Sequence, residues 1–392
     1  MENNKEHKIL NAPALRFPEF EGEWETVTLG DVATVIKERI SSSNLTVNDY
    51  VATENMKSHF GGVVEASSIP NNTNVIYFKK GDILISNIRP YLRKVWAATN
   101  DGGCSADVFV FRATKISVSF LYYIMANDSF IDYVMSGAKG VKMPRGDKEQ
   151  MLKYTFAIPA LKEQNKISRL ISLLDQRIST QIRAIEDLKR LKSAIIDEHY
   201  KQVAKQNVRI LDLGCSFGVG SLSKEDLTNT GSPCIIYGEL FTTYGEVINK
   251  IASHTSKTDG MTLSRKDDLL FPSSTTVDAM SLVAPSAINA DNVILGGDMF
   301  GIHVCRNFNS QYLSYYFNHI AKKKLAKYAK GSTIIHLHYR DIANVKIALP
   351  CLKEQNKMAD CLQSLDEKIE IEKNYLSSLE PQKQYLLRQM FI

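Results

Sequence analysis

The sequence predicts an α+β protein: two globular domains joined by a pair of long antiparallel coiled-coil helices, with an internal two-fold repeat. Three observations carry this. The octapeptide Pro159-Ala160-Leu161-Lys162-Glu163-Gln164-Asn165-Lys166 returns as Pro350-Cys351-Leu352-Lys353-Glu354-Gln355-Asn356-Lys357, 191 positions later. Each copy opens an apolar pattern of heptad period, which lasts to about Tyr200 and Phe391. The stretch before each copy ends in the same order: a helix, then a glycine-bearing loop.

Residues 1–16 read as a flexible lead-in. The first domain is expected over residues 17–157, with strand-like runs at 75–78, 82–86, 94–98 and 108–112 between Gly- and Asn-rich turns. A helix is expected over 120–135, with Leu121, Ile124, Met125 and Ile131 on its apolar face. The loop Gly137-Ala138-Lys139-Gly140-Val141-Lys142-Met143-Pro144-Arg145 then closes the domain. The first long helix occupies 158–206. The second domain, 207–348, repeats the order, with runs at 234–237, 268–271, 292–295 and 300–305 and a helix over 311–329. Its closing loop is Lys330-Gly331-Ser332-Thr333-Ile334-Ile335-His336-Leu337-His338. The second long helix occupies 349–392. Gly140 and Gly331 are again 191 apart, so the back of each domain repeats while the strand-rich fronts diverge.

In both long helices a proline ends the preceding strand, and a glutamate (Glu163, Glu354) sits by the positive end of the dipole. The inward positions of the first are Ile171, Leu174, Ile178, Gln181, Ile185, Leu188, Lys192 and Ile195. Their counterparts are Leu362, Leu365, Ile369, Glu372, Leu376, Leu379, Lys383 and Leu386. The polar interruptions coincide, Gln181 with Glu372 and Lys192 with Lys383, and polar seam residues fix register. The expected antiparallel register sets Lys192 opposite Glu372 and Gln181 opposite Lys383. Its apolar layers join Ile178 to Leu386, Ile185 to Leu379, Leu188 to Leu376 and Ile195 to Ile369. Pro381 predicts a bend or break in the second helix.

Length and composition set further bounds. The chain has 392 residues, enough for two or three domains with real cores. No run of 18 apolar residues appears, so no transmembrane span is expected. The polar start lacks a signal core. The six cysteines, Cys104, Cys215, Cys234, Cys305, Cys351 and Cys361, form no CxxC pair or zinc spacing. A cytoplasmic protein is expected. The net charge of +5 permits a polyanion partner without indicating one.

Several chemistries can be weighed. Ile210-Leu211-Asp212-Leu213-Gly214-Cys215-Ser216-Phe217-Gly218 resembles the glycine turn of S-adenosylmethionine-dependent methyltransferases. Ser216, however, replaces the middle glycine, and no Asn-Pro-Pro-Tyr or Asp-Pro-Pro-Tyr follows. No P-loop and no nucleophilic triad can be assigned. His336 and His338 lack companions for a metal. No catalytic, cofactor-binding or metal-binding residue is therefore expected in this chain.

The basic and amide-bearing loops fit DNA better, because Lys and Arg hold phosphates while Arg and Asn forks read base edges. In the first domain the candidates are Asn87, Arg89, Tyr91, Arg93 and Lys94 after a strand, with Lys142 and Arg145 in the closing loop. In the second they are Ser274, Thr275, Lys330, Ser332, Thr333, His336, His338 and Arg340. A lysine run, Lys322, Lys323, Lys324, Lys327 and Lys330, lies on the helix before that loop.

These features together resemble the specificity subunit of type I restriction-modification systems, over essentially the whole chain. The carriers are the entry from Arg16 to Trp24, Gly81-Asp82-Ile83-Leu84-Ile85-Ser86 with Arg89-Pro90-Tyr91-Leu92-Arg93, the Lys330-Gly331-Ser332-Thr333 loop, and above all the duplicated octapeptide. Two departures exist. Asp268-Leu269-Leu270-Phe271-Pro272 stands in place of the Gly-Asp-Ile-Leu strand, and Ile335 is the counterpart of Pro144. The resemblance implies a non-catalytic DNA sequence-recognition subunit with two target-recognition domains, each reading half of a bipartite double-stranded site. It implies that the paired helices set the spacer and dock two methyltransferase subunits, with restriction and translocation subunits joining them. S-adenosylmethionine, ATP and Mg²⁺ would belong to those partners. The competing readings are a methyltransferase built on the 212–218 turn, and a coiled-coil adaptor without a DNA role.

Overall fold

The run before the first octapeptide, Thr155–Ile158, is a strand that pairs antiparallel with the opening strand Glu25–Thr28, Ile158 facing Glu25. The second half closes in the same way, Lys346–Leu349 pairing antiparallel with Gln206–Arg209. Each globular segment is thus tied first strand to last just before its long helix begins. The computed structural model describes residues 11–392; positions 1–10 of the expected lead-in lie outside them. Two units result: Met1–Gln181 with Tyr375–Ile392, and Ile182–Asn374.

In the first unit an antiparallel sheet runs Ala33–Val35, Val108–Ala113, Ile83–Ser86, Val95–Ala97. Its inner strand Ile83–Ser86 is buried along its whole length, as an apolar run covered on both faces should be. A second sheet runs Arg39–Ser41, Asn74–Phe78, Gly102–Cys104, Tyr50–Val51. The second unit carries two five-stranded sheets, one ordered Gly214–Gly218, Met299–Val304, Asp268–Pro272, Ser286–Ile288, Val247–Ile248. The expected single helices are each broken. Residues 120–135 form Val118–Met125 and Asp128–Ser136, because Asn127 caps a fresh start by accepting the Ser129 amide at 3.1 Å. Residues 311–329 form Ser310–His319 and Lys322–Ala326.

The first unit's core joins Trp24, Leu29, Phe111, Phe120, Phe130 and Ile171 to the far end of the chain, Leu387, Met390 and Phe391. Phe391 stacks on Phe120 at 4.9 Å, and the Ala157 amide donates to the Ile392 carbonyl at 3.0 Å. Residues 11–16 are also held: Arg16 donates to both carboxylate oxygens of the buried Glu163, at 2.8 Å each. The octapeptide glutamate therefore anchors the entry segment as well as facing the dipole.

The long helices are Leu161–Gln202 and Leu352–Met390. All sixteen expected inward positions are buried or half-buried, whereas Leu173, Leu191 and Ile371 between them are exposed. In each unit the two helical segments run antiparallel. Asp175 meets Lys383, and Arg177 lies over Tyr375; in the other unit Lys192 meets Asp366 and His199 faces Glu354. The register differs from the expected one. Lys192 reaches Asp366 rather than Glu372, and Lys383 reaches Asp175 rather than Gln181, each six positions earlier. Both lysines reach a carboxylate flanking the seam on the opposite helix instead of the expected seam residue. Glu372 is drawn to Lys368, one turn back on its own helix. Of the bend or break expected at Pro381, no break occurs: the helix continues through it, and Pro381 is exposed, where water can serve the carbonyl left without a donor.

The repeat extends to buried polar chemistry. Asp175 accepts from Tyr123 Oη at 3.0 Å and from Lys383 Nζ at 2.6 Å. Asp366 accepts from Tyr315 Oη at 2.6 Å and from Lys192 Nζ at 2.6 Å. Each unit thus holds a Tyr–Asp–Lys set whose Asp and Lys come from different helices. Gln164 and Gln355 likewise each donate to the proline carbonyl five residues back, at 2.8 Å. Among the described residues no helix is long and apolar enough to cross a membrane.

Candidate nucleic-acid interface

The buried strand Ile83–Ser86 delivers the chain into an irregular turn. Arg89 and Arg93 flank the short helical turn Pro90–Leu92, and both take the left-handed conformation, φ +49° and +56°. That backbone is unfavourable for a side chain with a Cβ and persists where the surroundings impose it. The surroundings are a second loop: the His59 and Phe60 amides donate to the Leu92 and Arg93 carbonyls at 2.9 and 2.8 Å.

The closing loop meets this turn. Residues 139–145 form a small hairpin, Lys139 and Arg145 exchanging backbone hydrogen bonds of 3.0 and 2.9 Å, with Gly140 at φ +95°. Ile88 bridges to Arg145, and the Arg89 amide donates to the Pro144 carbonyl at 2.8 Å. The two first-domain candidate sets, far apart in sequence, therefore form one site. Lys94 Nζ donates to the Thr53 carbonyl at 2.7 Å, Arg145 pairs with Asp107 at 3.1 Å and Arg93 with Asp128 at 3.1 Å. Lys142 and Tyr91 are exposed. Asn87 is buried, and its Oδ1, like Arg89 Nε, has no hydrogen-bond partner among the described residues. A cavity of about 600 Å³ opens here, lined among others by Glu54, Asn55, Arg89, Lys94, Asp107 and Met143.

The second unit rebuilds the frame with different side chains. Lys330 and His336 exchange the same pair of backbone bonds, at 2.9 and 2.7 Å, with Gly331 at φ +118°. A Cβ at Gly331 would sit 2.0 Å from the Ile334 carbonyl oxygen, so the turn requires glycine. Ser274 and Thr275 pair antiparallel with His336 and Ile335. Ser332 and Thr333 are exposed at the tip. His336 stacks on His338 at 5.8 Å, and Arg340 is exposed on the helical turn Tyr339–Ile342. The Lys330 ammonium at 2.5 Å holds the Asp341 carboxyl below its ordinary range, fixing a charged pair at the loop's base. A cavity of about 1120 Å³ is lined by Ser274, Thr275 and His336, and by Lys224, Tyr237 and Lys322. Lys330, Ser332, Thr333, His338 and Arg340 lie outside its lining. Lys224 carries no motif in the sequence, and Tyr237 stands at the end of the expected strand-like run 234–237 with nothing in the pattern to turn it towards a cavity.

Both units also anchor the strand that feeds the site. Asp82 accepts from Arg112 at 2.7 Å, and Asp268 from His303 Nδ1 at 2.6 Å. The departing second-domain strand therefore keeps its acidic anchor.

The 212–218 turn does not form a cofactor loop. Asp212 is bonded by the Arg209 amide and guanidinium, and Ile210–Leu213 is a short helical turn. Gly214–Gly218 is then a strand, antiparallel to Met299–Val304. A nucleotide-binding glycine turn opens a helix whose N-terminus faces the ligand; here it opens a strand. Thr28 and Asp31 make the corresponding cap in the first unit. Among the described residues no cluster of His, Cys, Asp and Glu could hold a metal.

The model of the type I restriction modification DNA specificity domain matches residues 21–189 and again 204–381. The chain belongs to that family. A specificity subunit of a type I restriction enzyme from Methanocaldococcus jannaschii, MjaVIII, is 22% identical over 99% of this chain and 96% of its own. The EcoDI specificity subunit of Escherichia coli is 35% identical over 97 residues, 25% of this chain and 22% of that one. Among solved structures, the S subunit from M. genitalium superposes with TM-score 0.64 at 16% identity, covering 97% of this chain and 99% of that one. A chain of a type I restriction-modification system superposes with TM-score 0.56 at 18% identity, covering 93% and 96%. These two establish a shared fold, including the repeat. As a member of the type I specificity family the chain is a non-catalytic DNA sequence-recognition subunit.

Proposed function

We propose that each unit reads one half of a bipartite double-stranded DNA site through the turn-and-hairpin surface described above. The observation that carries this is the duplicated frame with unlike contents. The hairpins 139–145 and 330–336 share their bridge and their left-handed glycine, yet one presents Lys142 and Arg145 beside Arg89 of the neighbouring turn, and the other Ser332, Thr333 and His336. A common backbone with different side chains suits two readers of different sequences. The ion pairs at the site are mostly half-exposed, worth about 0–1 kcal/mol each, so phosphates can replace Asp107 or Asp128 at little cost.

The long helices set the spacer in this reading. At about 1.5 Å per residue, the 42-residue and 39-residue helices are about 63 and 58 Å long. Half-sites one DNA turn apart need about 34–36 Å. The matching Tyr–Asp–Lys sets give the helices equivalent surfaces, which suits two copies of one partner. Those partners would be two methyltransferase subunits, joined by restriction and translocation subunits. S-adenosylmethionine, ATP and Mg²⁺ would be bound there, and the complex would act in the cytoplasm.

The test is a domain exchange. Residues 17–157 are replaced by the corresponding segment of a relative, and the methylated motif of the assembled complex is determined. One half of the motif should change while the other half and the gap persist. A change in both halves, or in neither, contradicts the assignment.

A further inference from the structure

Val141 lies at the tip of hairpin 139–145 and is fully exposed, at 102% relative to an extended reference, and Met143 beside it is 47% exposed. Apolar side chains on a loose loop fold down onto the surface, because each one fully buried gains about 1.5–3 kcal/mol. Here the loop is not loose. Two backbone bonds close its base, and Gly140 takes a conformation that other residues rarely adopt. Pro144 is buried, with its carbonyl bonded to the Arg89 amide, and the Gly146 amide donates to the Asn87 carbonyl at 2.8 Å. The frame holds Val141 away from the body of the unit, while the half-exposed Met143 lines the cavity with Arg89.

The surroundings identify the occupant by charge. Lys139, Lys142 and Arg145 alternate with the apolar residues, and Arg89 stands at the base. The segment from Gly140 to Pro144 contains no carboxylate. Two acids, Asp107 and Asp147, pair at 3.1 and 3.5 Å with Arg145 and Lys139, the residues that close the hairpin's base. An apolar point inside a ring of cations is the chemistry of a wedge that enters a base step while its flanks hold phosphates.

We propose that Val141, flanked by Met143, inserts between adjacent base pairs of the first unit's half-site, unstacking one step and bending the duplex. This rests on the DNA-reading role proposed above. The second unit has no such tip. The residue 191 positions on from Val141 is Ser332, a hydroxyl in place of the exposed apolar side chain, while Ile334, the counterpart of Met143, is 49% exposed and lines its own unit's cavity as Met143 does. Distortion is therefore confined to one half of the site.

The experiment uses the complex of this chain with its methyltransferase partner and a duplex carrying the methylated motif. 2-Aminopurine is placed in turn at each position of the first half-site except the methylated base. The wild-type complex should raise the fluorescence at one step. The Val141→Ser, Met143→Ser double variant, whose changes lie on exposed side chains, should abolish that rise, reduce the bend seen by end-to-end energy transfer, and weaken binding on the order of tenfold. The proposal is overturned by an absent rise in the wild type or by an undiminished one in the variant. It is also overturned if the variant loses its methyltransferase, since the tip would then face protein. Lys142→Ala separates the two levels. If it weakens binding and the double variant changes nothing, only the wedge fails. If neither matters and the duplex is not bound, the DNA-reading surface fails with it.

Discussion

Replacing Lys192 by Met perturbs the most heavily used cation of the helix pair. Its side chain is 8% exposed, 2.6 Å from Asp366 and 3.0 Å from Glu246, with its Nζ 4.7 Å from the centre of the Tyr315 ring. Without it two carboxylates remain in partly buried positions with no shared cation, and breaking a buried pair in this way costs about 3–5 kcal/mol. Lys383→Met is the built-in control: its partner is one carboxylate, Asp175, and its side chain is 19% exposed, so about 1–2 kcal/mol is expected. Hydrogen exchange resolved by segment is the assay. Amides in the strands and helices of the second unit should lose protection by about a hundredfold to a few thousandfold in Lys192→Met, and the first unit should change far less. Equal losses in both units, or a larger effect from Lys383→Met, would refute the reasoning.

The same cluster predicts an acid dependence. Burial alone would push the Glu246 carboxyl up. His319 at 2.9 Å and Lys192 outweigh it and hold the group at about 2, against an ordinary 4.5. A depressed folded value contributes stability above the unfolded value and loses it as pH falls through the folded one. The contribution, about 3 kcal/mol, is therefore complete above pH 4.5 and fades towards pH 2. The gap in stability between wild type and Lys192→Met should narrow across that window, and a constant gap would show that Glu246 is not the group involved.

Other outcomes follow from the same geometry. Phe391→Ala empties a buried site against Phe120 and should cost about 3–5 kcal/mol, read as a lower unfolding temperature of the first unit; an unchanged midpoint would remove the chain end from that core. Arg89→Ala should lower methylation of sites through one half only, as measured by motif-resolved methylation rates, and unchanged rates would remove Arg89 from the interface. Inserting one heptad into each long helix adds about 10 Å, about three base pairs of DNA, and should widen the gap in the methylated motif; an unchanged gap would refute the ruler.

Much of the architecture is legible in the sequence because the repeat is exact where structure demands it. The octapeptide, the heptads and the paired glycines Gly140 and Gly331 each fill a backbone or capping role that few residues can fill. The register was not legible. The apolar positions tolerate several alignments, and the partners that decide among them, Asp366 for Lys192 and Asp175 for Lys383, sit off the seam. Glu246, which also binds Lys192, comes from a loop 54 residues away and carries no local signal. The candidate surface was half legible. The strand exit at Asn87 and the hairpin at Lys142 were visible singly, but their union depends on tertiary bonds such as Arg89 to Pro144. Phe391 closes the heptad pattern, but its place in the first core rests on its stacking against Phe120, which periodicity does not carry.

The central claim is that two unlike readers on one repeated frame recognise one split site. Methylome sequencing of a host carrying this chain with its partner subunits, against a host lacking only this chain, tests it most directly. The account predicts a new motif with two unlike halves and a fixed gap, methylated only when this chain is present. A continuous motif, a symmetric one, or no new motif despite a stable complex would contradict it.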